Sequence, residues 1–215
     1  MIAPRPHRPA FATLSLLSLI ALGMSSVMMT PACATAAPEP APVPKRWELA
    51  IEPGPLRMTV VDQRAYFYIT YKVTNHGTQD LLFAPSFELA TEETGEAMRS
   101  GRDVPVAVTR AIMERLGNSF LEDQIGIVGN ILRGPENAKE GLAIWPANQL
   151  RVSEISVYAG GFSGETTTLE LPGADGKTEK KVLRKSYMMR YRMPGELNPA
   201  DGDEYRPFES RWIMR

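Results

Sequence analysis

Between residues 47 and 60 the apolar positions fall on alternate residues: Trp47, Leu49 and Ile51, then, after Pro53-Gly54-Pro55, Leu56, Met58 and Val60. A repeat of two marks half-buried strands, so two strands separated by a break are expected here. The clearest strand covers residues 65–74. Phe67, Ile69, Tyr71 and Val73 point one way and Tyr66, Tyr68, Thr70 and Lys72 the other, with aromatic and β-branched side chains on both faces. Asn75-His76-Gly77 supplies turn residues that tolerate positive φ, and residues 81–90, with an irregularity at Pro85, return as the next strand or pair. Further strands are expected over residues 142–145, 150–158, 166–171, 182–193 and 207–214, separated by glycine-rich turns.

Between residues 103 and 134 the period changes. Asp103 can cap a helix with Pro105 in its first turn; Val108, Ile112 and Leu116 recur every four residues, Arg110 and Glu114 have pairing distance, and Gly117 ends the run. Ser119 and Glu122 have capping-box spacing for a second helix, with Leu121, Ile125, Val128 and Leu132 on one face and Gly134 as its stop. Gly126 and Gly129 weaken that second helix by roughly 1 kcal/mol each. No internal repeat or compositional break divides residues 46–215. The expected architecture is therefore a mainly β, antiparallel sandwich with a two-helix insertion at about 104–133.

The amino terminus follows different rules. Arg5 and Arg8 precede a charge-free apolar run of 16 residues, 14–29, and Ala34-Thr35-Ala36 closes the segment. The run is shorter than the ~20 residues of a spanning helix, so residues 1–36 read as a secretory signal peptide, with no transmembrane helix left after cleavage. A cysteine just beyond the apolar run makes lipidation at Cys33 the rival reading, although Thr30-Pro31-Ala32 departs from a leucine-led lipoprotein pattern. Residues 37–45 form a proline-rich, stiff leader. The expected location is periplasmic or extracellular.

Residues 37–215 keep 22 of the 24 Lys and Arg against all 25 Asp and Glu, a net charge of −3. That balance points to neither nucleic acid nor an anionic membrane. With no cysteine beyond Cys33, the domain must be held by apolar burial. His76 is the one histidine there, and its Asn-x-Gly setting reads as a turn, which leaves serine or cysteine nucleophiles without their usual base. Gly161-Phe162-Ser163-Gly164-Glu165 lacks the last glycine of a nucleophile elbow. Zinc has almost no ligands to draw on, while Asp201-Gly202-Asp203-Glu204 offers oxygen ligands for calcium without EF-hand spacing. Neither catalytic residues, metal ligands nor a cofactor are nominated.

Two patterns remain open at this stage. Glu122, Asp123, Glu136 and Glu140 lie on or beside the insertion, where a carboxylate pair could hydrolyse glycosidic bonds of envelope sugars. Lys180, Lys181, Arg184, Lys185, Arg190 and Arg192 are interleaved with Tyr187 and Tyr191, a recipe for polyanions, but parity turns the tyrosines inward and the arginines outward.

Tyr71-Lys72-Val73-Thr74-Asn75, Leu82, Pro85, Phe87-Glu88-Leu89 and Thr94-Gly95, followed by Lys139-Glu140-Gly141-Leu142-Ala143-Ile144-Trp145-Pro146, resemble the strand pattern of bacterial exported immunoglobulin-like domains. The chain is also similar to uncharacterised secreted proteins of planctomycete-type bacteria, over roughly residues 47–165. The resemblance implies an immunoglobulin-like sandwich and carries no active-site residue with it. The function expected is that of a non-enzymatic exported binding or scaffold module, which engages an envelope protein or polymer through the helical insertion. Val106, Met113, Phe120 and Ile127 lie off the main helical stripes and are the expected partner-binding residues.

Overall fold

Alternation on both sides of a two-residue turn builds the first hairpin: β1 (Ala50–Val61) pairs antiparallel with β2 (Arg64–Thr74). Asp62 and Gln63, at φ 49° and 63°, give the turn the left-handed pair of residues that a right-twisted hairpin requires. Pro53-Gly54-Pro55 does not separate two strands. It is a bulge inside β1, where the register shifts between Pro53 and Leu56, and a Cβ on Gly54 would stand 2.9 Å from the Thr70 carbonyl oxygen.

The computed structural model describes residues 38–92, 95–172, 177–199 and 202–215. The expected signal peptide, residues 1–36 with Cys33, lies outside them, as do Thr94 and Asp201. After the first hairpin come β3 (Leu81–Phe83), β4 (Ser86–Thr91), β5 (Ala97–Arg99), α1 (Val106–Leu116), β6 (Leu121–Glu122) and β7 (Gly129–Ile131). A single 3-10 turn (Pro135–Asn137) then leads to β8 (Lys139–Pro146), β9 (Glu154–Gly160), β10 (Thr166–Pro172), β11 (Thr178–Arg192), β12 (Glu204–Tyr205) and β13 (Glu209–Met214).

One sheet has the order β12-β1-β2-β8-β6; the second runs β10-β11-β9-β4-β5, with β13 on the other edge of β11. Every pairing is antiparallel except that of β6 with β8. The protein is mainly β, and its two larger sheets face each other. Phe67, Ile69, Tyr71 and Val73 of β2 meet Phe87 and Leu89 of β4, Val157 of β9 and Met189 and Tyr191 of β11 in one buried cluster. Tyr71, Phe83, Phe87 and Phe162 interlock there with ring centroids 4.5 to 5.9 Å apart, mostly edge to face.

The opposite face of β2 is covered as well. Tyr66 and Tyr68 join Leu142 and Ile144 of β8 under α1, whose Val108 and Ile112 fill the second cluster. Each of these buried helix side chains contributes ~1.5–3 kcal/mol by leaving water. The layers are thus helix, sheet, sheet. No helix among the described residues is long and apolar enough to cross a membrane.

The first expected helix forms, with Gly117 as its left-handed stop at φ 63° and the Gly117 N–H bonded to the Met113 carbonyl. Its start differs from expectation. Asp103, at φ 60°, lies two residues before the N-cap position and makes no cap; Pro105 occupies that position. The second expected helix does not form, and residues 119–133 instead become β6, a turn and β7. Asp123 Oδ1 accepts the N–H groups of Ile125 (2.9 Å) and Gly126 (2.7 Å), bending the chain, and Gly129 is extended at φ 153°, a conformation only glycine adopts freely. The insertion therefore carries one helix and the short strands β6 and β7, and β7 forms a two-stranded ribbon with β3, which precedes the insertion in the chain.

Candidate functional site

The insertion is fixed to the sandwich at several points, which is what makes its outer surface definite. Ile127 is fully buried and reaches the inter-sheet core beside Tyr71. It fits because residue 141 is glycine: a Cβ there would lie 2.4 Å from the Tyr71 hydroxyl and 2.6 Å from Ile127 Cδ1. Buried Asn75 holds the other end. Its Nδ2 donates to the carbonyls of Gln79 (2.9 Å) and Ile131 (3.2 Å), its Oδ1 accepts the Gly77 N–H, and its own carbonyl accepts the Gly134 N–H. Every polar group of that amide used here has a partner, as burial demands. Arg115 on α1 donates to the Thr59 hydroxyl, and Asn118 donates to Glu140 of β8.

From this frame large apolar side chains project into solvent. Asn118 Oδ1 accepts the Phe120 N–H at 3.0 Å, and the resulting turn leaves the Phe120 ring 79% exposed. The Asp123 turn leaves Ile125 77% exposed. In the ribbon Leu82 pairs with Asn130, so Val128 and Leu132 are diagonal neighbours of Leu82 on the outward face, while Phe83 and Ile131 are buried on the inner one. Leu82 is 71% exposed, and Val128 and Leu132 are about half exposed.

A cleft of about 300 Å³ opens beside Ile125, walled by Gln124 and Ile125 of the insertion and by Ser86, Phe87, Arg99 and Ser100 at the edge of the second sheet. Tyr71 is at its inner end. Burial, and secondarily the Glu122 carboxylate, push the Tyr71 phenol well above its ordinary pKa, so it stays a neutral hydrogen-bonding group. Gln124 lies against Gly101, whose φ of 76° and missing side chain both suit the contact, and Ser100 Oγ is 3.4 Å from Gln124 Oε1.

The expected partner-binding residues are split by the structure. Phe120 projects, and Val106, at the start of α1, is 74% exposed. Met113 packs partly buried against the second cluster, and Ile127 is core. Ile127 is thus removed from the surface set because the segment is strand and turn, and its side chain turns inward. Ile125, Val128 and Leu132, assigned by helical spacing to a buried stripe, face solvent for the same reason.

The other chemical candidates have structural partners. Glu122 Oε1 is 3.4 Å from Lys139 Nζ, Asp123 holds its turn, Glu140 accepts from Asn118, and Glu136 lies in the exposed 3-10 turn. In the basic run Arg190 is clamped by Glu154 (2.6 Å) and Glu209 (2.7 Å), and Lys180 pairs with Glu170 at 3.2 Å. In the acidic turn Glu204 pairs with Arg57 at 2.6 Å, and Asp203 accepts from the Tyr205 hydroxyl. Among the described residues no group of three or more His, Cys, Asp or Glu is placed to hold a metal ion. His76 is exposed in its turn, and the Ser163 hydroxyl accepts the Glu165 N–H within the loop after β9. No family model, curated protein or solved structure matches the chain.

Proposed function

We propose that the protein is an exported, immunoglobulin-like binding module of the cell envelope that docks a protein partner through its insertion. The observation that carries this reading is that Phe120, Ile125, Val128 and Leu132 of the insertion, with Leu82 of the neighbouring β3, are held in solvent while Ile127, Ile131 and Phe83 of the same elements are locked into the core. Large apolar side chains held in solvent on a rigid frame add little to the stability of the free chain and suit a surface that a partner covers. The cleft beside Ile125 gives a partner side chain a place to insert. The export half of the proposal rests on the sequence of the amino terminus, where Arg5 and Arg8 precede the charge-free apolar run 14–29 and Ala34-Thr35-Ala36 closes the segment.

The experiment is affinity capture from envelope extract with the domain and with a Phe120→Asp, Ile125→Asp variant whose circular dichroism and melting midpoint match the parent. Retention of a partner is expected to fall at least tenfold in the variant, equivalent to ~1.4 kcal/mol or more of lost contact. Equal retention by both proteins, or none by either, would refute the assignment of this surface.

A further inference from the structure

The loop between β5 and α1 staples the two large sheets together. The Ser100 N–H donates to the Phe87 carbonyl of β4 and the Gly101 N–H to the Ile144 carbonyl of β8, each at 2.8 Å, and the Ser100 hydroxyl accepts the Ile144 N–H at 3.0 Å. Beside this staple another cleft, of about 340 Å³, opens between the sheets. Phe67 of β2 and Leu89 of β4, both members of the inter-sheet core, close its bottom, and the half-buried Met98 and Pro146 wall it. Its rim is polar: Glu96, Asn148 and Gln149, with Arg102 and Asp103 from the stapled loop. The cleft shares no residue with the insertion surface or with the cleft beside Ile125.

Asp103 is the unusual member of the rim. Its φ of 60° falls in the left-handed region that residues with a side chain seldom adopt, aspartate more readily than most. It caps no helix, and among the described residues its carboxylate pairs only with Arg102, at 3.8 Å. Backbone held in this way collects at ligand sites, where the surrounding structure fixes a side chain in a conformation it would not choose alone. Among the described residues the side chains of Glu96, Asn148 and Gln149 form no hydrogen bond or ion pair within the protein. A ligand that enters the cleft displaces only water from them.

The mixture of rim groups selects the chemistry of the occupant. An anion would face Glu96 and Asp103, a cation would face Arg102, and a wholly apolar molecule would strip water from charges and amides without replacing its hydrogen bonds. A hydroxyl both donates and accepts, so it can give its proton to Glu96 or Asp103 and take one from Arg102, Asn148 or Gln149. A sugar ring carries such hydroxyls on its edge and an apolar C–H face that suits Met98 and Pro146. We propose that this cleft binds a neutral saccharide. Its volume is at the small end of ligand sites, so the occupant is the terminal sugar of a glycan rather than a long stretch of it.

The full chain, fluorescently labelled, is applied to an array of immobilised oligosaccharides: neutral ones built from glucose, galactose, mannose and N-acetylglucosamine, and acidic ones built from uronic acids. Retention on neutral members is expected, and is expected to be at least tenfold weaker for a Glu96→Ala, Asp103→Gly variant. Glycine relieves the left-handed backbone at position 103, so the melting midpoint of that variant is expected to equal or exceed the parent's, which separates lost binding from lost folding. The Phe120→Asp, Ile125→Asp variant is expected to bind sugars as the parent does, so the result is read independently of the insertion surface. No retention on neutral sugars, retention confined to the acidic ones, or equal retention by the parent and the Glu96→Ala, Asp103→Gly protein would overturn the proposal.

Discussion

At the residue scale the sharpest contrast is between Ile127 and Phe120, seven positions apart in one segment. Ile127 is enclosed between Tyr71 and the glycine at 141, so Ile127→Ala removes buried methylenes and leaves a cavity. A loss of ~2–5 kcal/mol in chemical denaturation is expected. Phe120→Ala takes its ring out of solvent and is expected to change stability by less than ~0.5 kcal/mol. Both residues were equally plausible as partner contacts in the sequence, because exposure depends on which way a short apolar segment turns. Lys185 was concealed differently. It sits in a basic run that reads as wet surface, yet its odd parity puts it with Leu183, Tyr187, Met189 and Tyr191. Parity was the available signal; the carboxylates that make its burial tolerable come from residues 48 and 165, which no local pattern connects to it.

At the scale of elements, legibility followed the length of the repeat. The alternation of β2 is sustained over 11 residues, and its two faces separate into the two clusters as the sequence implied. The segment over residues 119–133 has seven large apolar residues, and four of them, Leu121, Ile125, Val128 and Leu132, satisfy a helical stripe as readily as the strands and turn actually formed. Two glycines and the Asp123 turn decided between these alternatives by stabilising bends that a helix cannot contain. The short β5 and β12 had no periodicity to reveal them and exist by pairing with β4 and β1. In α1 the stop at Gly117 depends on a left-handed residue, and a Cβ there would meet open space. Gly117→Ala is therefore expected to cost ~1 kcal/mol by backbone conformation alone, read as a small drop in melting midpoint with unchanged helical circular dichroism.

For the whole molecule the ion pairs set the pH response. The Ala41 N–H, opposed by burial and supported by Lys185, holds the Glu165 carboxyl below the usual glutamate range, and hydrogen bonds from Arg190 and Arg211 do the same for Glu209. A carboxyl whose folded pKa is depressed contributes stability that is complete above its unfolded value, about 4.3, and is lost as pH falls through the folded value. The melting midpoint is expected to be nearly flat from neutral pH to about 5 and to decline below about 4.3, with a shallower acid decline in a Glu165→Gln, Glu209→Gln variant. Lys185 acts in the opposite sense: its raised pKa gives stability present below about 10.4 and lost as pH rises through the folded value.

The clothing of β2 on both faces has a consequence for how the molecule can change. Without the helix, Tyr66, Tyr68, Leu142 and Ile144 would form a bare apolar wall across β2 and β8; without that wall, Val108 and Ile112 would have nothing to rest on. Helix and wall are one packing unit, and cutting out either leaves the other's apolar face open to water. A graft that keeps the sandwich and removes the helix therefore lays that wall bare to water, and loses with it the frame from which Phe120 and Ile125 are displayed.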